Sequence, residues 1–365
     1  MKLLTVFGTR PEIIRLSLII KQLDRFCKHI IVHTGQNYDE NLSDVFFREL
    51  DLRAPDLYLG VQAATFSDQV GKIMIRMGEV LEEMRPDRVM ILGDTNSGLA
   101  AVVAARRGIP VYHLEAGNRC YDDRVPEEIN RRIIDHCSTV LMPYTNRSKQ
   151  NLLREGFDPE RVFVIGNPIY EVLNTYAPQS EAGSVLARLG LGARSYFLVT
   201  MHREENVDDP DRLGSILEAL ERIASIYECP VIVSLHPRTR DRMQQFGMTV
   251  RSPAIRLLQP LGFLDFVSLE RHARGVLTDS GTVQEECCIF GVPNVTVRDV
   301  TERGETIECG SNILSGVDPD TILRTVDLVL NSPCSWTPPS EYVEKQVSSV
   351  VAKIVLGYHG RPRYS

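Results

Sequence analysis

Short apolar runs recur along this chain, each closed by a polar or glycine-bearing turn and followed by a helical stretch. The first series comprises "LLTVF", "HIIVHT", "RVMILGD", "IPVYHLE", "STVLMPYT" and "RVFVIGN". Between the first two, "RPEIIRLSLIIKQL" places Ile13, Leu16, Ile20 and Leu23 at helical spacing. Strands that alternate with helices join by right-handed crossovers, so the pattern predicts a parallel sheet with helices on both faces. The rhythm loosens near Pro168, Pro178 and "QSEAGS", and a second series follows: "SYFLVTMH", "CPVIVSLH", "AIRLLQP", "GVLTDSG" and "VPNVTVRD". The expectation is α/β, with two Rossmann-like domains over 1–170 and 171–340 and a cleft between them. A helical segment within 341–365 is expected to cross back onto the first domain.

Composition bounds what such a chain can bind. Its 365 residues exceed the usual size of one domain, and 43% apolar with 24% charged residues is ordinary for a globular protein. A formal net charge of −7 argues against nucleic acid or an anionic membrane as partner. Eight cysteines occur without a C-x-x-C pair, which fits reduced thiols in the cytoplasm better than zinc or a disulfide framework. The sequence shows no leader pattern and no apolar run long enough to span a bilayer.

Ligands of parallel α/β sheets sit beyond the carboxyl ends of strands, and the strand ends here are polar. They read "FGTRPE" (7–12), "TGQNYD", "LGDTN", "HLEAGNR", "MHREEN", "LHPRT" and "TDSGTVQEE". In "TDSGTVQEE", Ser280 or Asp279 is expected to cap a helix, with Gly281 letting an anion approach its first N–H groups. Glu286, farther along, offers two acceptor oxygens to a vicinal diol such as a ribose. In "FGTRPE", Arg10 is held at the strand end with a fork suited to phosphate. Neither segment is a Walker loop or G-x-G-x-x-G, so neither NTP hydrolysis nor NAD is implied.

The stretch 115–136, "EAGNRCYDDRVPEEINRRIIDH", is dense in charge for a segment that leaves a buried strand. Pro126 is placed to start a helix with Glu127 and Glu128 in its first turn. Glu127 and Arg131 then share a face, with Ile129 and Ile133 toward the other side. Glu127 and Arg131 facing inward beside Glu115 and Asp94 bring three carboxylates together next to arginines, a set able to supply a general base and a general acid.

Taken in order, "VFGTRPE", "GDT", "EAG" with Arg119, "PEEINR", "HREEN" and "TDSGTVQEE" resemble the non-hydrolysing UDP-N-acetylglucosamine 2-epimerase family across nearly the whole chain. The resemblance implies the glycosyltransferase-B fold, a UDP-sugar substrate, a homodimer, and a reaction without metal or NAD. It makes Asp94, Glu115 and Glu127 acid/base candidates at C2 of the sugar and His202 the group serving the leaving diphosphate. It assigns Arg10, Arg131, Ser280 and Gly281 to the phosphates, His236 to the cleft lining and Glu286 to the ribose.

Three departures bear on specificity. Arg15 stands where the family usually has Lys. The loop between Arg119 and "PEE" is shorter than usual and carries Cys120, Asp122, Asp123 and Arg124. "TGQNYDENL" replaces a segment that, in some members, helps form an allosteric UDP-N-acetylglucosamine site, so no such activation is expected. Several motifs look closer to the branch forming UDP-N-acetyl-L-fucosamine. The alternatives are a hydrolysing 2-epimerase and a glycosyltransferase on the same fold.

Overall fold

The computed structural model describes residues 1–36, 40–63, 65–182, 185–332 and 335–359, with only the backbone for 40–44 and 181–182. Asn37–Asp39 of "TGQNYD" and Cys334 therefore lie outside the described residues. The chain divides into two compact units, Met1–Thr175 with Ser340–Ser365, and Tyr176–Pro339.

The first unit is built on a six-stranded parallel sheet: β1 (Lys2–Phe7), β2 (Lys28–His33), β3 (Leu57–Tyr58), β4 (Arg88–Leu92), β5 (Val111–Leu114) and β6 (Val140–Met142). Their order is β3-β2-β1-β4-β5-β6. Every residue of β4, β5 and β6 is buried, which fits runs that are apolar apart from Arg88 and His113: helices cover both faces. The order reverses direction between β1 and β4, and such a switch point opens a crevice at the carboxyl ends of the two strands. "FGTRPE" and "LGDTN" stand at those ends.

The helix Arg10–Asp24 begins there because Thr9 is extended (φ −131°) and Pro11 sits in the first turn. Glu12 reaches back to accept from the Thr9 N–H at 2.7 Å and the Gly8 N–H at 2.9 Å. Gly8 is needed for close approach: a Cβ there would stand 2.1 Å from Thr34 Oγ1 and 2.3 Å from Ser97 Oγ. At the other end of the chain, the helix Val347–Gly357 packs on Arg10–Asp24. The Arg88 guanidinium donates to the Val355 carbonyl, and Ser348 Oγ donates to Glu171 at 2.6 Å.

The second unit repeats the plan with β7 (Phe197–Met201), β8 (Val231–Leu235), β9 (Ile255–Leu258), β10 (Gly275–Thr278), β11 (Asn294–Thr296) and β12 (Asn312–Leu314). Its sheet is parallel in the order β12-β11-β10-β7-β8-β9, so β7 and β10 flank the switch point. "MHREEN" leaves β7 and "TDSG" leaves β10. One core lies on each face of this sheet, with Leu213, Ile216, Leu220 and Ile223 on one side and Tyr196, Leu269, Cys287 and Val292 on the other.

Candidate active site

In the first unit, Asp94 follows β4 and Glu115 follows β5, so adjacent strands deliver two carboxylates to one edge. Each meets a buried arginine. Arg131 gives Asp94 two bonds, from Nε at 3.0 Å and Nη2 at 2.6 Å, and its Nη1 reaches Glu128 at 2.8 Å. Arg15, whose guanidinium lies over the Tyr144 ring, pairs with Glu115, and Asn118 Nδ2 donates to the other Glu115 oxygen at 3.0 Å. Glu115 has a backbone φ of 67°, which costs a non-glycine residue roughly 1–3 kcal/mol. The bonds to both carboxylate oxygens hold it there. Strain of this kind, fixed by surrounding contacts, concentrates where a side chain must be aimed.

The helix Pro126–Cys137 supplies Arg131, and here the structure refines the sequence reading. Ile129 and Ile133 do face outward, and Arg131 is buried. The carboxylate buried with it is Glu128, while Glu127 is half-buried. Glu128 also accepts from the Cys120 N–H at 3.0 Å and the Tyr121 N–H at 3.2 Å, so it anchors the loop that carries the specificity departures. Burial pushes the Glu128 carboxyl up, but the Cys120 N–H and Arg131 outweigh it and leave it below the usual value. Burial, with the Glu128 carboxylate adding to it, pushes the half-buried Cys120 thiol up to about 11, which makes Cys120 a poor nucleophile.

Behind Glu115 lies a second buried layer. Asp135, fully buried, accepts from the Gly117 N–H at 3.2 Å and pairs with Arg119 at 2.8 Å and His113 at 2.8 Å. It ties the "EAGNR" turn to the helix that carries Arg131. At the neighbouring switch point Glu12 is 2% exposed and takes four donors, including Thr9 Oγ1 at 2.8 Å and Thr95 Oγ1 at 2.9 Å. Desolvation nevertheless dominates and pushes its carboxyl up to about 7. Arg10, half-buried at the start of the first helix, lies over the Phe46 ring with its guanidinium 5.9 Å from the centroid.

In the second unit, the buried Asp279 does not serve as a helix cap. It accepts from the His202 N–H at 3.0 Å and the Arg203 N–H at 3.0 Å, and stands 3.3 Å from His202 Nδ1. One strand end thereby braces the other. The His202 ring lies 5.4 Å from that of His236, which caps the helix Pro237–Gln245 by accepting from the Arg238 N–H at 3.2 Å. Ser280 is the N-cap of the helix Gly281–Phe290 but makes no side-chain cap bond. The helix therefore keeps N–H groups at its dipole-positive end that its cap residue does not use. A Cβ on Gly281 would meet Glu302 Oε1 at 2.6 Å, so close side-chain packing, not only ligand approach, demands glycine there. Glu286 is buried in the same helix.

A sequence profile described as UDP-N-acetylglucosamine 2-epimerase matches residues 21–356. The chain belongs to that family. A UDP-N-acetylglucosamine 2-epimerase of Methanocaldococcus jannaschii is 42% identical over 347 residues, covering 93% of this chain and 95% of the relative. A crystal structure of the M. jannaschii enzyme with UDP-GlcNAc and UDP superposes with a TM-score of 0.94 at 40% identity, covering 98% of this chain and all of that one. A UDP-2,3-diacetamido-2,3-dideoxy-D-glucuronate 2-epimerase of Pseudomonas aeruginosa is 38% identical over 331 residues, covering 89% and 91%. The two-sheet α/β architecture is the glycosyltransferase-B fold, and the chain is an isomerase of this epimerase family.

One part of this epimerase's strand-end chemistry escaped the sequence reading. The segment 298–305 leaves β11 and delivers buried Arg298, Glu302 and Arg303 beside the Gly281 helix. Arg303 Nε pairs with Glu285 at 2.5 Å, Arg298 Nη1 with Glu302 at 2.9 Å, and Arg203 Nη2 with Glu302 at 3.5 Å. The signal was present, since "VRDVTERGE" follows a strand as the other motifs do.

Proposed function

We propose that this chain is a non-hydrolysing UDP-sugar 2-epimerase that interconverts C2 epimers of a UDP-2-acetamido sugar. The observation that carries the reading is the pair of carboxylates, Asp94 and Glu115, at adjacent strand ends, each fixed by its own buried arginine. Acid/base chemistry at a weakly acidic carbon needs carboxylates whose position and charge are both set, and transfer of a sugar to an acceptor needs no base at C2. In the proposed cycle one carboxylate of Asp94, Glu115 and Glu127 removes the C2 proton while the C1–O bond to UDP breaks. This gives a 2-acetamido glycal and bound UDP. Protonation of the opposite face and return of the UDP oxygen to C1 complete the inversion. The cycle is redox-neutral and calls for no electron carrier.

The family match and the order of the motifs support the division of labour. The first unit supplies the C2 chemistry, with Arg15 and Arg131 holding Glu115 and Asp94 and Arg10 meeting the diphosphate. In the second unit, the Gly281 helix and Ser280 hold phosphate, Glu286 takes the ribose, and His202 with His236 stabilises charge developing on the departing UDP. Relatives named for UDP-GlcNAc and for a diacetamido glucuronate support an acetamido sugar. The Cys120–Arg124 loop, anchored on Glu128, is the proposed determinant of which one, a 6-deoxy sugar of the fucosamine branch included.

The test is incubation with UDP-GlcNAc, UDP-ManNAc, a 6-deoxy UDP-acetamido sugar and a UDP-diacetamido uronate, with separation of products. The expected result is a mixture of two UDP-linked epimers reached from either side. Free sugar released in step with UDP would make the enzyme a hydrolase instead.

The proposal extends to a cytoplasmic homodimer. Among the described residues seven cysteines stand outside any disulfide and no helix is long and apolar enough to cross a membrane. Ile129 and Ile133, 49% and 40% exposed, give the Pro126–Cys137 helix an apolar edge that a second copy can cover. Light scattering is expected to return twice the chain mass of 41.1 kDa; a single-chain mass at micromolar concentration contradicts it.

A further inference from the structure

The Gly281–Phe290 helix carries a feature that the sugar chemistry does not use. Cys288 is buried near its carboxyl end, and Cys309, half-buried, follows the short helix Gly304–Glu308. Their sulfurs stand 3.7 Å apart, so they must close by about 1.7 Å to reach a disulfide bond length of about 2.05 Å. Cys309 Sγ also lies 3.4 Å from Ser311 Oγ and 3.5 Å from the Thr306 carbonyl. We propose that Cys288 and Cys309 are a reversible dithiol–disulfide pair, with Cys309 reacting first with a peroxide and Cys288 resolving the product.

The two thiols differ in the way this division requires. Cys309 has solvent access on one side, whereas Cys288 faces inward with Cys309 as its sulfur neighbour. The hydrogen bond from the Cys288 thiol, with help from Ser311, holds Cys309 down at about 6 against the opposing effect of burial. The same contact, and after it burial, push Cys288 far up. The half-buried Cys309, held below the usual thiol value, is therefore the attacking sulfur, because the thiolate is the nucleophile toward peroxide.

The Cys309 sulfur attacks one peroxide oxygen, the O–O bond breaks, and hydroxide leaves, which yields a sulfenic acid. The Cys288 sulfur then attacks the Cys309 sulfur. The S–O bond breaks as the S–S bond forms, and the departing hydroxide takes the Cys288 proton as water. The first hydroxide takes up the proton that Cys309 released on ionising, so in all two thiols lose two electrons and two protons and hydrogen peroxide becomes two waters. A dithiol reductant reverses the bond by exchange.

A reporter is built in. Trp336, the only tryptophan of the chain, donates its indole N–H to the Cys288 carbonyl at 2.9 Å, so its emission reports on changes at Cys288. Full-length reduced protein treated with equimolar hydrogen peroxide is expected to lose two alkylatable thiols and yield one peptide linked between Cys288 and Cys309. Its Trp336 emission changes, and dithiothreitol restores both. In Cys288→Ser, Cys309 is expected to take a dimedone adduct that the wild type does not accumulate. Wild-type protein in which both thiols stay free, one pairs with Cys287, or Cys309 stops at sulfenic or sulfinic acid overturns the proposal. The peptide map needs no variant, so a Cys288→Ser protein that folds poorly does not rescue it.

Discussion

Glu115→Gln is expected to lower kcat for epimerisation by roughly 10²–10⁴-fold, the span that a positioned acid or base supplies. UDP affinity should stay within about threefold of wild type, less than ~0.7 kcal/mol. The substitution keeps the side chain's shape and leaves an amide that can still meet Asn118, but it removes the negative charge opposite Arg15. The backbone at φ 67° is the same problem for Gln as for Glu, so the change isolates the charge from the strain. Arg15 retains the Tyr144 ring face beneath it, which lessens the penalty for the lost partner. Steady-state kinetics together with UDP calorimetry separate the outcomes. A kcat within tenfold of wild type removes Glu115 from the chemistry, while lost UDP binding would show that the variant harms the fold.

Glu12→Gln is expected to change how stability depends on pH by up to about 3 kcal/mol, the free energy of a carboxyl moved from 4.5 to about 7. Below pH 4.5 Glu12 is protonated whether the chain is folded or not. Between 4.5 and 7 the folded state holds a proton that the unfolded state has released, so the wild type loses stability as pH rises through this window. Above about 7 the carboxyl is ionised in both states and the loss is complete. Gln does not titrate. Relative to wild type the variant should therefore gain stability from pH 5 to pH 8, in denaturant unfolding of both proteins at each pH. A difference that is equal at the two pH values, or that shrinks, means that the four donors around Glu12 hold it ionised and burial does not win.

What could be read from the residues followed how far each signal depends on local chain chemistry. The strand ends at β1, β4, β5, β7 and β10 were legible because a mostly apolar run closed by Gly, an acid or His has few other meanings. The phase of the Pro126 helix was less so. One residue of helix is 100°, which decides whether Glu127 or Glu128 is buried with Arg131, and the loop amides of Cys120 and Tyr121 settle that. Asp279 illustrates the same limit. Beside Ser280 and Gly281 it reads as a cap, yet its partners His202 and Arg203 come from a segment 76–77 residues away and only the pairing of β7 with β10 brings them near. The ion pairs of Arg131 were out of reach for a related reason: Asp94, 37 positions earlier, meets it from the turn that follows β4.

The most direct test of the account is epimerisation of the accepted UDP-acetamido sugar in D2O, followed by proton NMR at C2. Proton removal and return at that carbon predict deuterium at C2 in the product, and then in recovered starting material as turnover proceeds, with free sugar staying minor. Epimer that keeps its original C2 hydrogen would contradict the proposed role of Asp94, Glu115 and Glu127.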